Sequence, residues 1–151
     1  MFFTFNNYTV DIDIEKTKET YRSLTYLTER CSCDGCLNFE KAIDQLPVKV
    51  RTFFDEIGVD LKKAAECYII FNNDDGSLLY GGFCHLCGRL IQGESAWVRI
   101  SDNHSYYNPD LSYHITENFS VSFQEECCMI EAPFNPPILQ LEFQATMPSV
   151  I

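Results

Sequence analysis

The spacing of apolar residues changes period once along the 151 residues, near Glu66, and this change limits the fold more than any other feature. Before it, apolar side chains recur at helical intervals; after it they alternate or run on continuously, as they do in strands. Asp13 caps a first predicted helix that runs to about Arg30 on Ile14, Thr17, Tyr21, Leu24 and Leu27 or Thr28. Asn38 is the expected cap of a second, with Phe39, Ala42, Ile43 and Leu46 along one face. Pro47 ends that helix and opens a third on Val50, Phe53, Phe54 and Ile57, which Gly58 stops.

Beyond Glu66, CYIIF (67–71) and SLLYGGF (77–83) flank the turn-forming NNDDG and predict a hairpin. Gly81 and Gly82 mark a bulge or a close backbone approach. AWVRI and FSVSF predict further strands on either side of the loop SDNHSYYNPDLS. In ILQLEFQATM, Leu139, Leu141, Phe143, Ala145 and Met147 share one face while Gln140, Glu142, Gln144 and Thr146 share the other. That alternation predicts a half-buried antiparallel strand. The expected class is α+β: three N-terminal helices followed by a mainly antiparallel β-sheet, in a single domain with a helical part over about 13–60 and a sheet part over about 66–151.

The chain carries 22 acidic and 11 basic residues, a formal net charge of −11, unevenly spread. No Lys or Arg follows Arg99, whereas Asp102, Asp110, Glu117, Glu125, Glu126, Glu131 and Glu142 do. Such a field repels phosphate backbones and anionic headgroups, which argues against direct nucleic-acid or membrane binding and for a protein partner, a basic one by complementarity. The N-terminal stretch has no basic lead and no long apolar run, so a cytoplasmic protein is expected. Thiols stay reduced there, and eight cysteines are then ligands, buried apolar groups or redox groups rather than a disulfide scaffold.

Three of the eight lie in CSCDGC, at Cys31, Cys33 and Cys36. Two cysteines two residues apart around a tight turn can point both sulfurs at one zinc ion. A second such unit, Cys84-His85-Leu86-Cys87, precedes Gly88, so a two-knuckle zinc site would use Cys33, Cys36, Cys84 and Cys87, with Cys31 as an outer or alternative ligand. Against it, a regular strand through 81–91 would point Cys84 and Cys87 to opposite sides. Cys67, Cys84 and Cys87 are then small core residues. A third possibility is redox chemistry: Cys33 ahead of a helix would be a reactive thiol with Cys36 as its resolving partner.

The stretch from Asp13 to Glu66 also resembles an uncharacterised family of small bacterial proteins. The resemblance rests on Asp13-Ile14-Glu15-Lys16-Thr17, on CSCDGCLNF (31–39) as a CxCxxCxN[FY] segment, and on FFDEIGVD (53–60) ending a Pro-started helix. It covers about a third of the chain and attaches to Cys31, Cys33, Cys36 and Asn38 rather than to Cys84 and Cys87. It implies a standalone cytosolic bacterial protein and no mechanism. The expected function is therefore non-enzymatic: protein–protein interaction by a chain whose cysteine-rich turn zinc can stabilise. The alternatives are an acidic nucleic-acid mimic that inhibits a DNA- or RNA-binding machine, and a thiol oxidoreductase using Cys33 and Cys36.

Overall fold

The computed structural model describes residues 1–151 and shows an α+β arrangement with a mainly antiparallel sheet. Helices do not come first, however. Strands β1 (Phe2–Phe5) and β2 (Tyr8–Ile12) form a hairpin whose two-residue turn puts Asn6 at φ 57°, a left-handed conformation that Asn tolerates.

Asp13 then caps α1 (Ile14–Arg22), its side chain accepting from the Lys16 N–H. The expected run to Arg30 is interrupted. Ser23 donates its hydroxyl to the Thr20 carbonyl, and a new turn, α2 (Leu27–Arg30), starts at Tyr26, whose N–H donates to Glu29. Helix α3 (Asp34–Ala42) starts five residues earlier than expected, because Cys33 rather than Asn38 is its cap. Pro47 precedes α4 (Val48–Ile57), and Gly58 ends it at φ 83°, where a Cβ would also press on the Ile14 carbonyl. Thus four α-helices, one of them a single turn, stand where three were expected.

The sheet is built around a long central strand, β4 (Leu78–Gln92). One edge of β4 pairs first with β3 (Glu66–Asn72) and farther along with β2; the other pairs with β9 (Ile138–Met147) from Leu78↔Met147 to Cys87↔Ile138. The sheet continues through β8 (Phe119–Gln124) to β7 (Tyr113–Thr116), and every pairing is antiparallel. Part of the predicted loop after Arg99 is strand as well: β5 (Trp97–Ser101) and β6 (His104–Tyr107) form a separate hairpin.

Register puts Tyr80, Cys84 and Leu86 beside Ala145, Leu141 and Leu139, and Phe119, Val121 and Phe123 beyond them, on one face. The helices cover this face. Phe39 stacks on Phe143 with centroids 5.6 Å apart, and Phe54 meets Phe119 edge-on. The opposite face departs from the expected polar exterior at its centre: Gln140 and Glu142 are buried along with His85, next to the loop at 125–134, whose Phe134 and Cys128 reach into it. No helix is long and apolar enough to cross a membrane.

Candidate metal centre

The CxCxxC spacing brings three sulfurs to one point by local geometry. Cys31 leaves α2 in an extended conformation (φ −143°, ψ 118°), and in extended backbone residues two apart share a side. Accordingly Cys31 Sγ and Cys33 Sγ lie 3.2 Å apart. Cys36 follows one helical turn after Cys33, which puts it on the same face. The sulfurs of Cys31, Cys33 and Cys36 all lie within 4.8 Å of one another. Cys31 and Cys33 are exposed, Cys36 is buried, and all eight cysteines are free.

The surroundings polarise the three thiols differently. Cys33 Sγ accepts the Cys36 backbone N–H at 3.4 Å, and this bond, with the neighbouring Cys31 thiol, lowers the Cys33 pKa below its ordinary value. Burial drives Cys36 the other way, well above the ordinary range, with Cys31 adding to the effect. An exposed thiol of lowered pKa thus sits beside a buried one of raised pKa.

Groups distant in sequence hold the segment. Arg30 forks onto two successive carbonyls, Ala64 at 2.6 Å and Ala65 at 3.1 Å. Tyr80 donates its hydroxyl to the Gly35 carbonyl at 2.7 Å. Asn38 lies inside α3, where its amide donates to the Tyr80 oxygen and the Pro148 carbonyl and accepts the Val150 N–H. It ties the C-terminal tail to the helix that carries Cys36.

Cys84 and Cys87 are not brought to this point. Strand β4 passes through both without a turn, so side chains three positions apart alternate away from each other. Cys84 neighbours Tyr21, and Cys87 Sγ lies 4.0 Å from the Thr20 hydroxyl. The two-knuckle pairing is therefore not formed. A different sulfur comes close: Cys67 Sγ, at the start of β3, lies 3.9 Å from Cys36 Sγ.

A second polar cluster escaped the sequence reading. Gln140 accepts the Cys128 N–H through Oε1 and donates Nε2 to Glu142 Oε1 at 2.7 Å, which fixes its amide orientation. The same Oε1 faces His85 Nε2 at 2.9 Å, so that nitrogen carries a proton, while His85 Nδ1 meets Glu131 Oε1 at 2.7 Å. The one available signal was His85 inside an otherwise apolar run; Gln140 and Glu142 belong to the polar face of an alternating strand and carry no mark of burial. Comparison of the chain with protein-family models, curated proteins and solved structures gave no match.

Proposed function

We propose that this is a non-enzymatic, cytosolic protein whose thiol cluster holds a structural zinc ion and which acts by binding another protein. The proximity of the Cys31, Cys33 and Cys36 sulfurs carries the metal reading. Soft thiolate donors in a reducing compartment select zinc over hard cations, and the N–H donated to Cys33 offsets the charge that thiolate ligands accumulate. Bound there, zinc would tie the end of α2 to the start of α3 across a stretch of only three residues outside helix. Protein purified without chelator should contain about one zinc per chain by elemental analysis. A fully folded, metal-free product would end this reading.

The partner reading rests on charge. Glu125 and Glu126 border a groove of about 770 Å³ lined also by Trp97, Cys128 and the buried Glu142, with Arg99 as its one cation, a setting suited to a basic, aromatic-contacting segment. Charge reversal at Glu125 and Glu126 should abolish salt-sensitive recovery of the partner; unchanged recovery would exclude this surface.

One observation favours thiol oxidoreduction as the second reading. Cys33 caps a helix as an exposed thiol of lowered pKa, and Cys36, its buried neighbour, has a raised one, as attacking and resolving thiols require. Reversible formation of a Cys33–Cys36 disulfide in metal-free protein, with turnover of a model disulfide, would support it. Blocking of that chemistry by one equivalent of zinc would return the site to the structural role.

A further inference from the structure

We propose that Cys67 is the fourth ligand of this centre, so that zinc is held by four thiolates, three from the CSCDGC segment and one from strand β3. The inference rests on the zinc reading above and goes beyond it in closing the site. Four sulfurs about 2.3 Å from a tetrahedral zinc lie about 3.8 Å from one another. The Cys31–Cys33 separation of 3.2 Å and the Cys36–Cys67 separation of 3.9 Å lie on either side of that value; Cys67 stands outside the set of three sulfurs that all lie within 4.8 Å of one another, so closing the tetrahedron requires its sulfur to move toward Cys31 and Cys33.

Local chain geometry does not bring Cys67 here, since 31 residues separate it from Cys36. Two devices do. Arg30, immediately before Cys31, clamps the carbonyls of Ala64 and Ala65, which lie just before Cys67, so the two ligand-bearing segments are tied next to their ligands. In the sheet, Cys67 pairs with Gly82, where any Cβ would collide with the Glu66 carbonyl and the Phe143 ring. Glycine at 82 is what lets the backbone at Glu66–Cys67 and the Phe143 ring close in on β4.

The arrangement also has an inside and an outside. Cys36 and Cys67 are buried; Cys31 and Cys33 face solvent and give the ion an entry path. Binding forms four Zn–S bonds as four thiol protons leave to water, with no change of oxidation state. The resulting net charge of −2 is spread by the Cys36 N–H at Cys33.

The test is X-ray absorption at the zinc edge on the full chain loaded with zinc alone, for wild type, Cys67→Ser and Cys84→Ser. The expected result is four sulfurs in wild type and Cys84→Ser and three in Cys67→Ser. Zinc competition against a chelator should show Cys67→Ser weakened by more than the roughly 10–100-fold that loss of a mere supporting residue causes. Three sulfurs in wild type, or four in both wild type and Cys67→Ser, would overturn Cys67 as a ligand while leaving the three-thiol centre standing. Failure of wild type to bind zinc would overturn both. The wild-type sulfur count decides the matter even where Cys67→Ser does not fold.

Discussion

Asn38 sits in the middle of a helix with its whole amide committed to Tyr80, Pro148 and Val150, so its value comes from tertiary contacts and not from capping. Asn38→Ala should cost about 2–3 kcal/mol in urea denaturation, because it leaves buried partners unsatisfied. It should also accelerate hydrogen exchange at the Val150 amide. Gly82→Ala should cost at least as much, about 3 kcal/mol or more, since its methyl group would meet backbone and an aromatic ring rather than a flexible chain end. Glu142 tests the buried polar face. Burial raises its carboxyl above the ordinary 4.5, partly offset by the Gln140 amide. The folded state therefore holds this proton more tightly than the unfolded state, so the contribution of Glu142 to stability is full below pH 4.5 and is lost as pH rises through the folded pKa. Glu142→Gln keeps an acceptor for Gln140 and removes that loss. Stability measured from pH 4 to pH 7 should decline less in the variant, and identical pH profiles would rule the effect out.

Between elements, the junction of α2 with the start of β3 carries the most consequence for the centre. Arg30 is a positioning residue there: Arg30→Ala should weaken zinc about tenfold or more, as supporting residues of metal sites do, in competition with a chelator. Arg30→Lys should recover only part, because an ammonium cannot fork onto two carbonyls. Caps and stops with a local mechanism were legible at this scale. Asp13 and Gly58 act as their residue types dictate, and so does the 73–77 turn, where the Asn73 N–H donates to the Ser77 carbonyl. The break at Ser23–Tyr26 was not, because apolar spacing continues across it while a capping pattern restarts the helix. Asn38 was misplaced for a similar reason: a cysteine sulfur took the cap that asparagine usually fills. The β1–β2 hairpin had a readable signal in Asn6-Asn7 between alternating apolar residues, yet those strands are stable only as part of a larger sheet.

Across the whole molecule, 32 buried residues form one hydrophobic cluster spanning the helices and the sheet, and the thiol centre lies where α2, α3 and β3 converge on it. A structural zinc present at a thousandfold its Kd would add about 4 kcal/mol. For a chain of this size that corresponds to about 10 °C in Tm, so a chelator should lower the melting transition by that amount and zinc should restore it. A transition indifferent to both would count against a structural metal. Helical spacing, strand alternation and the CxCxxC cluster could be read directly, because each depends on backbone geometry within a few residues. The approach of Cys67 to Cys36 and the burial of His85 with Gln140 and Glu142 could not, and for Cys84 and Cys87 strand alternation stood beside the knuckle as one of two readings until the fold decided between them. These follow from which strands share an edge of β4 and what covers each face, and side-chain packing between segments far apart in the chain sets both.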